Sequence, residues 1–258
     1  MLPSVHLSFA AEPISTYKLI LALYLIAAFF LTVELNARQG VEAGVTVQAF
    51  LIGVPAGILG ARVLDAFEYP GNYRSLGDFF AGGGSSIYGG LIGGVGVAVL
   101  YLKWRGIPPL RVLDAGAPAM ALGEAITRIG CFLNGCCYGV VSKGPLALRF
   151  PPESFAFQDQ VARGVLAETA THSLPVHPVQ LYSSVVMLAV FVFLLRALDR
   201  RRADGQVFCA FLVCYGLWRL LIAPLRMEVL ASMVLFSIGF IVIGVAGLLV
   251  LRCRPSCA

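Results

Sequence analysis

The sequence predicts an all-α membrane bundle of about seven transmembrane helices, and three features carry that expectation. Charge is scarce: Asp, Glu, Lys and Arg make up 13% of 258 residues and apolar residues 59%, against about 25% and about 45–50% in a soluble domain. The apolar residues gather in stretches near the roughly 20 that a helix needs to cross about 30 Å of hydrocarbon. Basic residues collect in alternate connections between those stretches, as membrane orientation requires.

In chain order the stretches run from about Tyr17 to Glu34, Val45 to Val63, Gly83 to Leu102, Ala115 to Asn134, Pro178 to Leu198, Val207 to Leu225 and Val229 to Leu251. The first is not read as a signal peptide, because Met1 to Thr16 lacks a basic start and no small-residue cleavage site follows, so the segment is expected to stay in the mature protein. No Ser/Gly/Pro linker or charge run divides the chain, which predicts a single transmembrane domain over 1–258. Arg38, then Lys103, Arg105 and Arg111, then Arg196, Arg200, Arg201 and Arg202, then Arg252 and Arg254 fall on one side if seven helices alternate. That side is expected to be cytoplasmic, with the N-terminus outside and the C-terminus cytoplasmic. The Glu68–Gly82 loop, an extracytoplasmic segment at about 138–177 and the Arg226–Glu228 turn then face the other way. Within the long segment Phe157, Val161 and Val165 recur every four residues, the spacing of a helix lying on the membrane or packing on the bundle. The net charge of +5 is accounted for by these connections, and no nucleic-acid partner is expected.

Chemistry is sought among polar residues inside the apolar stretches. An arginine at a helix centre costs about 2.5–3.5 kcal/mol even on a mild scale and is kept for a partner or a function. Arg128 has Glu124 one turn earlier, a salt-bridge spacing; Arg219 has no acidic residue in its own helix; Arg62 sits near a helix end, where snorkelling suffices. A guanidinium fork matches phosphate oxygens, so buried arginines suit the headgroup of an anionic phospholipid. Tyr17, Tyr88 and Tyr215 lie near these charges in sequence and suit a headgroup site or simple interfacial anchoring. Gly82, Gly83, Gly84, Gly89, Gly90, Gly93, Gly94 and Gly96 permit either close helix packing or approach of backbone amides to an anion. Cys131, Cys136 and Cys137 cluster next to Arg128, where positive charge favours a thiolate. Their C-x4-C-C spacing is not a familiar zinc pattern, so no metal and no organic cofactor is expected.

The segment GCFLNGCCYG, Gly130 to Gly139, preceded by Arg128 and Ile129, resembles the signature G-R-x-G-N-F-x-N-x-E-x-x-G of the prolipoprotein diacylglyceryl transferases. ISTYKLILAL resembles that family's first helix with its Tyr, GGSSIYGGLIGG its glycine segment, HPVQLY from His177 to Tyr182 its H-P-x-Q-L-Y, and YGLWRLLIAPLR from Tyr215 to Arg226 its Y-G-x-x-R-x-x-x-E-x-x-R. The resemblance implies transfer of a diacylglyceryl group from phosphatidylglycerol to the thiol of a lipobox cysteine in a secreted precursor, in the bacterial inner membrane. It further implies Arg128 and Arg219 on the phosphate, with Tyr17, Asn134, Gly139, His177, Gln180 and Arg226 around the donor and Tyr88 and Tyr215 near the chemistry; Arg62 is a further donor-binding candidate on its charge alone. Four positions depart from the pattern: Tyr88 stands where the family has His, Cys131 where it has Asn, Cys136 where it has Glu, and Ala223 where it has Glu. Two other readings therefore stay open at this point: a paralogue using Cys131, Cys136 and Cys137 for transfer to another acceptor or for redox chemistry, and a non-catalytic lipid-binding protein. Glu124 is a candidate replacement for the missing base.

Overall fold

A computed structural model describes residues 4–5, 14–73, 75–81, 86–227 and 231–253. Gly82, Gly83, Gly84, Glu228, Arg254 and Cys257 lie outside the described residues, as does the side chain of Tyr88. Among the described residues the fold is helical: α1 (Thr16–Arg38), α2 (Ala43–Glu68), α3 (Leu76–Ala81), α4 (Ile87–Trp104), α5 (Pro109–Asn134), α6 (Phe155–Ala162), α7 (Val179–Arg200), α8 (Gln206–Ile222) and α9 (Ala231–Cys253). Beside the helices stand a pair of two-residue strands, β1 (Ser4–Val5) and β2 (Ile14–Ser15), joined antiparallel, and isolated bridges that pair Gly139 with Arg226 and Val176 with Val141 and Leu148.

Among the described residues five helices are long and apolar enough to cross a membrane: Leu19–Arg38, Ala43–Glu68, Val179–Arg200, Gln206–Leu225 and Met233–Cys253. Leu23, Ile26 and Phe30 on α1, Leu51 and Ile58 on α2, and Leu235, Val242 and Ile243 on α9 are exposed. Side chains of that kind in such numbers fit lipid contact, since water penalises broad apolar surfaces. The apolar run of α4 is shorter, Gly89–Trp104. Helix α5 spans 26 residues but carries Glu124 and Arg128 within it.

The described residues divide into two compact units, 32–113 and 1–31 with 114–258. In the first, α2 and α4 pack through glycine. An added Cβ at Gly93 would stand 2.6 Å from the Ala56 carbonyl oxygen, and one at Gly60 would strike that of Gly89. Close packing of small residues is therefore the use made of Gly89, Gly90, Gly93 and Gly94. Below them Val41, Val45, Ala49, Leu102 and Val112 form a buried cluster.

In the second unit α7, α8 and α9 pack in succession. Asp114, fully buried near the start of α5, accepts hydrogen bonds from the backbone amides of Gly205 and Phe208, both at 2.8 Å. It thereby caps α8 from another helix, satisfying amides that a helix N-terminus leaves unpaired. The helix expected over 157–165 is shorter: α6 ends at Ala162, because Gly164 turns left-handed at φ +69° and the Val165 amide bonds back to the Gln160 carbonyl. Val165 is exposed, while Ala156, Phe157 and Gln160 are buried. Helix α6 thus packs on the protein.

The glycine contacts predict opposite outcomes at two positions one turn apart. Gly93→Ala drives a Cβ into the α2 backbone and should lower stability by about 1–3 kcal/mol. Gly96→Ala, with nothing within 4 Å, should leave stability unchanged or raise it slightly. Thermal unfolding in detergent measures both.

Candidate active site

Helix α5 delivers Arg128, Cys131 and Asn134 on its last two turns and then breaks. Gly135 adopts φ +73° and Cys137 φ +56°, and the Cys136 amide bonds back to the Cys131 carbonyl at 3.1 Å. An added Cβ at Gly135 would stand 2.7 Å from the Ser154 Cβ, so both space and backbone demand glycine there. Left-handed backbone costs a residue with a Cβ about 1–2 kcal/mol, and Cys137 bears that cost. Its effect is to fold two adjacent cysteines back onto the helix end. The sulfurs of Cys131, Cys136 and Cys137 all lie within 4.8 Å of one another, and all three are free thiols. Hydrogen bonds from the Cys131 and Cys136 thiols, with the charges of Arg128 and Arg226, hold the Cys137 thiol well below the usual cysteine range. The Asn134 side chain hydrogen-bonds Cys136.

Arg128 and Arg226 act electrostatically on this cluster, and Arg219 acts on Arg226. Arg128 donates from Nε at 2.8 Å and Nη2 at 2.6 Å to one oxygen of Glu124, with both side chains largely buried. Arg219 on α8 and Arg226 just beyond it line a small cleft with Ala223, Met233 and Ser237. Among the described residues neither has a carboxylate partner. Burial, then the like charges of Arg219 and Arg128, lowers the Arg226 guanidinium pKa. Among the described residues one carboxylate, Glu124, and the Cys137 thiol answer these guanidiniums, an arrangement suited to a bound anion.

Backbone hydrogen bonds fasten the segments that supply these groups. The Gly139 amide donates to the His177 carbonyl at 3.0 Å, the His177 amide to the Val140 carbonyl at 3.1 Å, and the Val140 amide to the Leu225 carbonyl at 3.0 Å. Gln180 donates from Nε2 to the Cys136 carbonyl at 2.9 Å. The His177 ring meets the Tyr182 hydroxyl at 3.3 Å. His177 and Gln180 accordingly hold the loop that carries the cysteines, a positioning use alongside the donor contacts expected of them.

Other expected site residues have different surroundings. Tyr17 packs on Gly130 within electrostatic range of Arg128 and the three cysteines. The Tyr215 ring stacks on Phe211 at 5.8 Å and meets Phe240 at 6.0 Å, so much of its surface is used in packing α8 on α9. Arg62 belongs to the 32–113 unit, where it hydrogen-bonds Tyr73, whose hydroxyl donates to buried Asp65 at 2.5 Å. Its charge there is held by a polar network. Tyr24 was not foreseen: its ring lies against Gly123, beside Glu124. Its spacing of seven from Tyr17, two helical turns on one face, is a signal that could have found it.

Gly139 is the tightest point of this arrangement. An added Cβ would stand 2.6 Å from the Leu225 carbonyl oxygen and 2.7 Å from that of His177. Gly139→Ala should therefore destabilise by about 1–3 kcal/mol, read as a lower midpoint of thermal unfolding in detergent. Gly144→Ala, whose nearest neighbour is the mobile end of Ser142 at 3.3 Å, should not.

Comparison with known proteins accords with this geometry. Residues 4–250 match the family model described as prolipoprotein diacylglyceryl transferase. A phosphatidylglycerol-prolipoprotein diacylglyceryl transferase from Clostridium tetani is 30% identical over 242 residues, covering 89% of this chain and 90% of the relative. Proteins of the same name from Dehalococcoides mccartyi and Clostridium botulinum are 28% identical over 230 residues and 33% identical over 185 residues; these cover 87% and 70% of this chain, and 82% and 70% of the relatives. The match takes in every segment that the Gly139, Val140 and His177 hydrogen bonds tie together, and on that ground the chain belongs to the prolipoprotein diacylglyceryl transferase family.

Proposed function

We propose that this protein transfers a diacylglyceryl group from phosphatidylglycerol to the cysteine thiol of a prolipoprotein, as the names of its relatives state for them. The setting is the bacterial inner membrane, with α4 and α5 joining the five long apolar helices to give seven spans, the N-terminus outside and the C-terminus cytoplasmic. The alternation of basic connections supports that orientation.

The observation that carries the reading is the grouping of Arg226 with Arg219 and Arg128, of which only Arg128 has a carboxylate in salt-bridge contact among the described residues. Phosphatidylglycerol entering sideways would place its phosphate among these guanidiniums. The acceptor thiol gives its proton to solvent, its sulfur attacks the glyceryl carbon, the bond from that carbon to the phosphate oxygen breaks, and the electron pair leaves with glycerol phosphate. Charge grows on the departing phosphate oxygen, so arginines fixed in a poorly hydrated site favour the transition state over the ground state. Both charge-assisted bonds from Arg128 go to one Glu124 oxygen, which suits Glu124 to fixing Arg128.

The test is a reconstituted reaction of purified protein, labelled phosphatidylglycerol and a lipobox peptide, read by mass spectrometry as a diacylglyceryl thioether. Arg219→Ala and Arg128→Ala should each lower turnover by about 10²–10³-fold. Arg219→Lys should recover only part of it, because an ammonium lacks the fork. Arg149→Ala, at an exposed position, should be without effect. Undiminished turnover in Arg128→Ala and Arg219→Ala would contradict the role given to these arginines. Lipid-loaded protein that makes no thioether would favour a non-catalytic lipid carrier.

A further inference from the structure

We propose that Cys131, Cys136 and Cys137 form a three-thiolate site for a thiophilic divalent cation, with Zn²⁺ the best fit, whose fourth position takes the acceptor thiol. Three observations converge on it. First, all three sulfurs lie within 4.8 Å of one another. Ligands at about 2.3 Å from a tetrahedral zinc have sulfurs a little under 4 Å apart, so small side-chain rotations would complete the site. A disulfide would use two of these thiols and leave the third unexplained. Second, the convergence is built at a cost: Cys137 holds φ +56°, and Cys131 is buried at the end of a helix fixed by the Glu124–Arg128 pair. Third, Gln180 is 1% exposed; its amide nitrogen bonds the Cys136 carbonyl, while its Oε1 is buried without a hydrogen-bond partner. A buried carbonyl of that kind asks for a donor, and water on the metal or an acceptor amide would supply one.

Charge balance agrees. Three thiolates around a divalent cation carry one net negative charge, and Arg128 and Arg226 lie close enough to Cys137 to act on it electrostatically. Among the described residues no His, Asp or Glu joins the group, which leaves an open position of the kind that catalytic zinc sites keep for substrate.

This use of the fourth position rests on the transferase reading. The acceptor thiol gives its proton to solvent as it displaces water from the metal, which removes the need for a strong base beside it. Its sulfur then forms the bond to the glyceryl carbon as the bond from that carbon to the phosphate oxygen breaks. Glycerol phosphate departs with the electron pair, and the thioether product, a weaker ligand than the thiolate, leaves the metal to water. The cysteines of the enzyme are spectators in bond-making, since a thioether formed on one of them would be a poor leaving group and would end the cycle.

The test uses the full chain in detergent, demetallated and fully reduced, titrated with Co²⁺. Thiolate-to-cobalt charge-transfer absorption should saturate at one Co²⁺ per chain and be lost on addition of one equivalent of Zn²⁺. Cys131→Ser, Cys136→Ser and Cys137→Ser should each weaken binding at least tenfold, whereas Cys209→Ser and Cys214→Ser should not. A lipobox peptide should shift the absorption of the cobalt protein, and its Cys→Ser version should not. No charge-transfer band from the wild-type chain, an intramolecular disulfide among the three in protein purified without reductant, or a band indifferent to the peptide thiol would each overturn the proposal. The spectra stand apart from turnover: thioether formed by protein with no band sinks this inference alone, and the expected spectra without thioether sink the transferase reading alone.

Discussion

The mutual hydrogen bonding of Gly139, Val140, His177 and Leu225 is the constraint on which the site depends. It joins the loop after α5, the start of α7 and the end of α8, three segments far apart in sequence, with carbonyl oxygens too close to Gly139 to admit a Cβ. Arg128 and the cysteines come with the first segment, Gln180 with the second, and Arg219 and Arg226 with the third. Loosening that junction would disperse the positive charge and the thiols together. Holding guanidiniums near one another in a poorly hydrated place is unfavourable in the absence of an anion, and backbone hydrogen bonds are the means by which the fold offsets the repulsion.

Long apolar runs made the helices legible, because a segment that crosses lipid must be apolar over its whole length. The Glu124–Arg128 pair was legible for an equally local reason, a spacing of one helical turn, and it forms. Helix ends were less so. Helix α5 begins at Pro109 instead of near Ala115, since Pro is well placed in a first turn. Helix α6 stops short of Val165 because a single left-handed glycine ends it, and spacing alone does not report backbone conformation.

The site was legible in its parts and not in its assembly. Arg128, Arg219, Tyr17 and the three cysteines could be singled out by charge, rarity and likeness to a family signature. That the cysteine sulfurs converge depends on the left-handed conformations of Gly135 and Cys137, and the second of these no propensity would suggest. Tyr24 carried a weak signal, its spacing from Tyr17, which a search confined to motif positions passes over. The departures from the family pattern at Cys131 and Cys136 fall inside one thiol cluster, so they form a single altered feature and not scattered losses. That fits the proposal of a site in which the arginines hold an anion while the handling of a thiol has changed.

The proposed hold of Arg219 and Arg226 on the phosphate of an anionic phospholipid is tested, without requiring turnover, by native mass spectrometry of the detergent-released protein. Wild-type protein incubated with phosphatidylglycerol should retain one lipid through increasing collisional activation, and the Arg219→Ala/Arg226→Ala double variant should release it at much lower energy. Equal retention by both would contradict the account, because it would mean that the lipid is held by apolar surface and that the paired arginines serve some other purpose.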